Sequence, residues 1–240
     1  MIGSVVSPAL RARVRGLALP VALAFGRMGL TPNALTVLGF AIAVVASFAA
    51  SQQAWIVAGL LVIFGGVFDL FDGALARATN KVSRLGAFLD SVFDRAGEAV
   101  LYVGIAVGCL TDNFNLGAVL ATVAMGGSFM VSYTRAKSES LGFTPGTGMA
   151  NVGVAPREIR LVLLTIGLIL TGARGGIVVP ITVYGAIDAN TWAGRPALAA
   201  TLALIAILAT ITTIQRIVHV TRQTPPESTG AATPGGDDHP

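Results

Sequence analysis

The feature that most constrains this chain is a long stretch without charge. No Asp, Glu, Lys or Arg occurs between Met28 and Phe68. Over all 240 residues only 12% are charged, and the mean hydropathy is +0.76, whereas soluble domains carry about 25% charged residues. This composition excludes an ordinary soluble globular domain and predicts an all-α integral membrane protein.

Six segments have the length and apolarity of a membrane-spanning helix, which takes roughly 20 residues. We predict spans at about 33–51, 54–73, 87–110, 115–134, 158–180 and 196–218. Several glycines and Pro180 interrupt the fifth. The spans form one domain over 28–222. We expect a basic amphipathic helix on the membrane surface at 1–27 and a disordered Pro- and Gly-rich tail at 223–240.

The distribution of basic residues predicts the orientation of the chain. With six spans, fourteen of the sixteen Lys and Arg residues fall on one side, and only Arg174 and Arg195 fall on the other. Basic residues concentrate in cytoplasmic loops, so both termini and the 69–95 region are predicted to be cytoplasmic, in a cell (inner) membrane. We recognise no nucleic-acid-binding module. The lone Cys109 excludes an intrachain disulfide.

Four carboxylates occur within 26 positions: Asp69, Asp72, Asp90 and Asp94. The first two share a face at the end of the second span, and the last two share a face at the start of the third. The short connection 78–85 makes these helices antiparallel neighbours, so we expect all four carboxylates to converge. Such a cluster repels itself unless it is protonated or binds a divalent cation. Oxygen ligands favour Mg²⁺ or Mn²⁺, and Mg²⁺ commonly retains substrate phosphates.

The acidic cluster belongs to a longer pattern, D-x2-D-G-x2-A-R-x8-G-x3-D-x3-D. Its fixed positions are Asp69, Asp72, Gly73, Ala76, Arg77, Gly86, Asp90 and Asp94. The pattern resembles the signature of the CDP-alcohol phosphatidyltransferase family at every fixed position. The LTPNALT stretch at 30–36 and the six spans are similar too. The resemblance implies a membrane enzyme that transfers the phosphatidyl group of CDP-diacylglycerol onto an alcohol and releases CMP.

The same resemblance implies roles for single residues. Two Mg²⁺ or Mn²⁺ ions would be held by Asp69, Asp72, Asp90 and Asp94. Asp94 would also be the general base that takes the proton of the acceptor hydroxyl. The CDP-linked donor would be bound by Thr31, Asn33, Asp69, Gly73, Ala76, Arg77 and Gly86. Asn33 is equally suited to cap the first span. A homodimer is implied as well.

Basic residues after the fourth span carry the information about the acceptor. They are Arg135, Lys137, Arg157, Arg160 and Arg216. Their surroundings, SYTRAKSESLG, R-x-x-R and Q-R, resemble the phosphatidylinositol phosphate synthase branch, in which such cations surround the phosphate of inositol phosphate. Two features differ from that branch: GFTPGTGMANVGVAP is longer and richer in Gly, and Pro156 stands where an acidic residue is usual.

Alternatives remain open for both sets of residues. The basic residues also fit plain positive-inside topology, and the four aspartates could be helix-end charges that reach water separately. Glycerol 3-phosphate is an alternative phosphorylated acceptor, and it would give phosphatidylglycerophosphate. A divalent-cation transporter or an inactive scaffold is a different class. A transport site would lie near mid-membrane on discontinuous helices, whereas these aspartates lie at helix ends.

Overall fold

The computed structural model describes residues 8–143, 152–175 and 191–223, which form helices and no strand. In chain order the helices are α1 (Pro8–Arg27), α2 (Pro32–Ser51), α3 (Trp55–Ala78), α4 (Arg84–Thr111), α5 (Asn115–Ser140), α6 (Arg157–Gly175) and α7 (Thr191–Thr221). The all-α prediction is confirmed for this part of the chain. Residues 1–7 of the predicted interfacial segment, 176–180 of the fifth span and 224–240 of the tail lie outside it.

Local capping sets where the site-bearing helices begin and end. The Thr31 side chain caps α2, and its hydroxyl accepts the backbone N–H three residues later at 3.2 Å. Ser83 caps α4 in the same way at 3.0 Å. The turns that follow α3 and α4 pass through Asn80 and Asn113, with φ of 53° and 52°. Asn tolerates this left-handed region better than most residues do.

Two helices end five or more residues beyond the predicted membrane segments. α3 runs to Ala78 and α5 runs to Ser140, whereas the apolar pattern predicted ends near 73 and 134. Hydropathy reports where a helix leaves an apolar environment, and both helices continue into a charged last turn that contains Arg77 in α3 and Lys137 in α5. The predicted aspartate motif therefore lies entirely within helices and their short connection.

Six of the helices close into a ring. α2 packs against α3 and α4; α4 packs against α5, α5 against α7, α7 against α6, and α6 against α3. α1 lies outside the ring, against α3. Small residues allow close backbone approach: a Cβ on Gly104 of α4 would overlap the Ser47 carbonyl of α2, and a Cβ on Gly108 would overlap the Ala50 carbonyl.

The outer faces of the ring carry large apolar side chains. Phe48, Leu60, Phe64, Leu116 and Ile207 are each more than half exposed, as expected of faces that contact lipid. By length and composition, four described helices can cross a membrane: Pro32–Ser51, Trp55–Ala78, Asn115–Ser140 and Ala193–Thr221. α4 and α6 carry more charged residues. A membrane-embedded fold is therefore supported, while the count of six spans and the amphipathic character of α1 stay predictions.

Candidate active site

Two of the four aspartates meet on one cationic atom. The Asp69 carboxylate of α3 lies 3.1 Å from Nη1 of Arg157, and the Asp94 carboxylate of α4 lies 3.0 Å from the same nitrogen. Arg95 is a second, more distant neighbour of Asp94 at 3.9 Å. The carboxylates of α3 and α4 thus come together, as predicted, and the first residue of α6 lies between them. The prediction that α3 and α4 are packed neighbours is wrong, because α2 packs against both and lies between them in the ring.

The other two aspartates lie beside this pair. Asp72 is buried, and its Oδ2 accepts a hydrogen bond of 2.7 Å from the Thr36 hydroxyl of α2. Asp90 is half-buried and lines the two cavities described next. Sequence reasoning missed Thr36, because a threonine one turn into an apolar helix gives no distinctive signal.

A cavity of about 280 Å³ lies between the start of α2, the end of α3 and the start of α4. We call it the glycine cavity. Its polar and small lining residues are Asn33, Thr36, Asp72, Gly73, Ala76, Arg77, Lys81, Ser83, Gly86, Ala87 and Asp90. Most of the residues predicted for the donor are therefore brought together here. Lys81 and Ser83 were not predicted.

The two glycines keep this cavity open. A Cβ on Gly86 would lie 3.1 Å from Oγ of Ser83 and 3.2 Å from Oδ1 of Asn33. A Cβ on Gly73 would lie 3.3 Å from Nη1 of Arg77. Side chains at these two positions would press against the polar wall, and their absence lets a ligand approach the helix backbone.

The sequence left open whether Asn33 contacts the donor or caps α2, and the structure answers this through the positions of Thr31 and Asn33. Thr31 is exposed, its hydroxyl caps α2, and it lies outside the described lining of the glycine cavity. Asn33 lines the cavity, with its amide oxygen close to Gly86. The cap of this helix is therefore Thr31 and not Asn33.

A second cavity, of about 290 Å³, lies between α4, α5, the start of α6 and the end of α7. We call it the arginine cavity. Its charged lining residues are Asp90, Asp94, Arg95, Arg135, Glu139, Arg157, Glu158, Arg160 and Arg216. Asp90 lines both cavities, so they adjoin at the aspartates. Four of the five basic residues predicted for the acceptor are thus placed around one space that includes Asp94.

The guanidinium groups around the arginine cavity differ in how they are held. Arg135 is partly exposed, and its Nε lies 2.9 Å from the Glu139 carboxylate. Arg216 is buried and donates to the carbonyl oxygens of Val131 and Val152, the latter at 2.9 Å. These two carbonyls fix the Arg216 guanidinium at the cavity wall, between α5 and the segment before α6.

Two predicted acceptor residues are placed differently from the others. Arg160 is buried and makes a two-point ion pair with Glu98 of α4, with N–O distances of 3.1 and 3.0 Å. Lys137 is exposed on α5 and lies outside the described lining of the arginine cavity. Glu98 was missed, although a signal existed: the four-residue spacing of Gly86, Asp90 and Asp94 continues to it.

The four aspartates offer the kind of ligand atoms that a hard divalent cation prefers. No group of three or more His, Cys, Asp or Glu side chains in the described ranges is already arranged around one point. However, two carboxylates from different helices converge on the Arg157 cation, and all four candidates offer only oxygen. A metal ion between Asp69 and Asp94 would require Nη1 of Arg157 to move away. Asp69, Asp72, Asp90 and Asp94 remain the residues that could hold such ions.

Comparison with known proteins identifies the family. A family model described as CDP-alcohol phosphatidyltransferase matches residues 29–224. The chain belongs to this family. It is therefore a transferase of the CDP-alcohol phosphatidyltransferase type, and the expectation from the aspartate motif is confirmed.

The relatives of this phosphatidyltransferase include synthases of inositol phosphate lipids. It is 39% identical over 150 residues to an archaetidylinositol phosphate synthase of Pyrococcus horikoshii, an alignment that covers 62% of this chain and 75% of the relative. It is 30% identical over 230 residues to a phosphatidylinositol phosphate synthase of Mycobacterium bovis, covering 95% and 96% of the two chains.

Solved structures agree with this likeness. The crystal structure of the Mycobacterium tuberculosis phosphatidylinositol phosphate synthase with CDP-DAG bound has a TM-score of 0.69 and 25% identity, covering 92% of this phosphatidyltransferase and 98% of that protein. A structure of the same protein in complex with manganese and citrate has a TM-score of 0.69 and 26% identity, covering 92% and 96%. The ring of helices is therefore the fold of that enzyme.

Proposed function

We propose that this enzyme transfers the phosphatidyl group of CDP-diacylglycerol onto a hydroxyl of inositol phosphate and releases CMP. The observation that carries the proposal is the junction of two unlike cavities at Asp90. One cavity is lined by glycines, and the other is rich in arginine. Two substrates held in these cavities would meet beside Asp94. The names of the relatives support inositol phosphate as the acceptor.

The donor belongs in the glycine cavity. Gly73, Ala76 and Gly86 leave room for the cytidine against the helix backbones. Arg77 and Lys81 supply positive charge for the diphosphate. The diacylglycerol tails would extend along the apolar outer faces of the ring, where they would replace membrane lipid.

The acceptor belongs in the arginine cavity. Arg135, Arg157 and Arg216 line it, and guanidinium groups bind phosphate oxygens in pairs. A phosphate held there would bring the hydroxyl groups of a small polyol towards Asp94. Free inositol or serine would leave these cations without a phosphate, so both should be poor acceptors.

The reaction is a direct displacement at phosphorus. The acceptor oxygen attacks the phosphorus that carries diacylglycerol, the bond from that phosphorus to the oxygen of CMP breaks, and CMP leaves with the bonding electrons. The acceptor proton passes to the Asp94 carboxylate. Asp69, Asp72, Asp90 and Asp94 would hold two Mg²⁺ or Mn²⁺ ions. When bound, these ions would neutralise the charge of the phosphates.

We further propose the cellular setting that the sequence implies. The chain crosses the cell membrane six times, with both termini and the site on the cytoplasmic face. It acts as a homodimer, as the family resemblance implies. The basic residues that surround the site support this orientation.

An acceptor screen tests the proposal. Purified enzyme is given CDP-diacylglycerol, Mg²⁺ and one acceptor at a time: inositol 1-phosphate, glycerol 3-phosphate, serine or free inositol. CMP release is then followed. We expect rapid release with inositol 1-phosphate and little with the unphosphorylated acceptors. Turnover with glycerol 3-phosphate alone would make the inositol phosphate assignment wrong. No release with any acceptor would contradict phosphatidyl transfer to these alcohols.

A further inference from the structure

A buried ion pair lies directly beside the arginine cavity. The side chain of Arg160 has 0% of its surface exposed and that of Glu98 has 5%. Both carboxylate oxygens of Glu98 accept from the guanidinium, one from Nε at 3.1 Å and one from Nη2 at 3.0 Å. The remaining nitrogen, Nη1, donates to the carbonyl of Ala155 at 3.1 Å.

We propose that Glu98 is a positioning residue for the acceptor site. Arg160, through its ion pair with Glu98, supports this site structurally and does not bind the phosphate. The inference rests on the proposed function, because it concerns how that site holds a phosphorylated acceptor. It revises the role that the R-x-x-R pattern assigns to Arg160.

The first argument is that Arg160 already donates its hydrogen bonds to protein acceptors. A phosphate ligand must present N–H groups to the ligand space. All three guanidinium nitrogens of Arg160 already have protein acceptors, and its side chain is fully covered. By contrast, the side chains of Arg135 and Arg157 are 43% and 28% exposed. Arg135 and Arg157 can meet an incoming anion, whereas Arg160 would first have to leave Glu98.

The register of α4 against α6 is the second argument. Glu98 lies one turn after Asp94 on α4, and Arg160 lies one turn after Arg157 on α6. The two helices therefore carry two successive ion pairs, Asp94 with Arg157 at 3.0 Å and Glu98 with Arg160 at 3.0 Å. The buried pair fixes the register that places Arg157 beside Asp69 and Asp94.

The segment before α6 is the third argument. Ala155 accepts from Arg160, and its own N–H donates to the Thr212 hydroxyl of α7 at 3.0 Å. The N–H of Val154 donates to the Gln215 side chain of α7 at 3.1 Å. The Glu98–Arg160 pair therefore links the segment before α6 to α4, and hydrogen bonds to Gln215 and Thr212 link the same segment to α7. Arg157 begins its helix at the end of this segment.

A double-mutant cycle distinguishes a structural role of Arg160 from direct binding of the phosphate. Removing one partner of a buried pair leaves an uncompensated buried charge, whereas removing both is far milder. Glu98→Gln, Arg160→Gln and the double variant are purified with the wild type. For each, the kcat, the KM of CDP-diacylglycerol and the KM of the phosphorylated acceptor on which the wild type is most active are measured.

We expect each single variant to raise the acceptor KM about tenfold or more. The KM of the donor should stay within about twofold, because the glycine cavity does not contact the pair. The double variant should recover, with an acceptor KM closer to that of the wild type than either single variant. Arg174→Gln, on the exposed far end of the same helix, is the control for a lost charge and should match the wild type.

Several results would overturn the inference. If Arg160→Gln raises the acceptor KM and Glu98→Gln does not, or if the double variant matches Arg160→Gln, Arg160 is a direct phosphate ligand. If donor and acceptor KM rise together, the pair only supports folding. Should Glu98→Gln not yield folded protein, Glu98→Asp, too short to reach both nitrogens, is judged by the same criteria. A wild type inactive on every phosphorylated acceptor overturns the proposed function and the inference; failure confined to the variants overturns the inference alone.

Discussion

Among single residues, Asp94 is the one to which the proposed reaction assigns the proton of the acceptor hydroxyl. It lies 3.0 Å from Arg157, lines the arginine cavity, and is one turn from Asp90, which lines both cavities. A carboxylate in this place can accept a proton from a hydroxyl held by the arginines. The chemistry proposed for the enzyme therefore depends on this residue more than on any other single contact.

Asp94→Asn tests that role. The amide has nearly the same size but cannot accept the proton, so we expect kcat for CMP release to fall at least ~100-fold. Asp112→Asn is the matched control, since Asp112 lies at the opposite end of α4 and pairs with Arg195 at 2.8 Å. That variant should keep a kcat near that of the wild type. An Asp94→Asn enzyme with the wild-type rate would show that the base lies elsewhere.

Arg157→Gln tests the phosphate site. Its guanidinium is the one shared by Asp69 and Asp94, and it lines the arginine cavity. Losing a charge-assisted contact to phosphate should raise the acceptor KM about tenfold or more, as measured by CMP release against acceptor concentration. Arg174→Gln provides the comparison on the same helix. Equal acceptor KM values for the two variants would contradict the assignment of Arg157.

The sequence could predict some of these residues and not others. The aspartates, Gly73 and Gly86 follow a fixed spacing on helices, and their convergence needs only that α3 and α4 be antiparallel. The pairing of Glu98 with Arg160 depends on which helix faces α4, and the spacing of residues within one helix carries no such information. Lys137 and Arg135 read alike in sequence, but only Arg135 lines the arginine cavity.

Among the elements, the close contact between α2 and α4 helps to position the site. α4 carries Asp90 and Asp94, and Gly104 and Gly108 let it approach α2 so closely that a Cβ would overlap carbonyl oxygens of α2. Ser47 adds a hydrogen bond of 2.6 Å from its hydroxyl to the Val100 carbonyl. Any change that separates these helices should loosen the glycine cavity.

Gly104→Ala tests this packing. The added methyl has no space against Ser47, so we expect the enzyme to lose about 1–3 kcal/mol of stability. Thermal unfolding of the detergent-purified protein measures the change. Gly126→Ala is the matched helical control, because a Cβ there has nothing within 4 Å, and it should unfold at or above the wild-type temperature. Indistinguishable unfolding of the two variants would contradict the close packing.

The apolar pattern predicted where the helices are and less well where they end. α2 at Pro32–Ser51 lies within one residue of its predicted bounds of 33–51. The end of α3 is set by a charged last turn and the start of α4 by the Ser83 cap, and neither feature is apolar. The short connection that carries the motif predicted that α3 and α4 are neighbours, and this was wrong: α2 packs against both of them and lies between them in the ring. The sequence of one connection does not show that a third helix packs between the two helices it joins.

For the whole molecule, the charge asymmetry predicts one orientation. Cysteine substitutions at Lys137 in the last turn of α5 and at Asn113 in the α4–α5 turn lie on opposite predicted sides. In sealed inverted vesicles, a membrane-impermeant maleimide should label Lys137→Cys and spare Asn113→Cys. The native Cys109 is buried and should stay unlabelled. The reverse labelling pattern would contradict a cytoplasmic site.

The central claim is the transfer of a phosphatidyl group to inositol phosphate, and a competition tests it most directly. Purified enzyme with CDP-diacylglycerol and Mg²⁺ is offered equal concentrations of inositol 1-phosphate and glycerol 3-phosphate, and the lipid products are identified by mass spectrometry. We predict phosphatidylinositol phosphate as the main product, formed in amounts that match the CMP released. Phosphatidylglycerophosphate as the main product, or CMP release without either lipid, would contradict the claim.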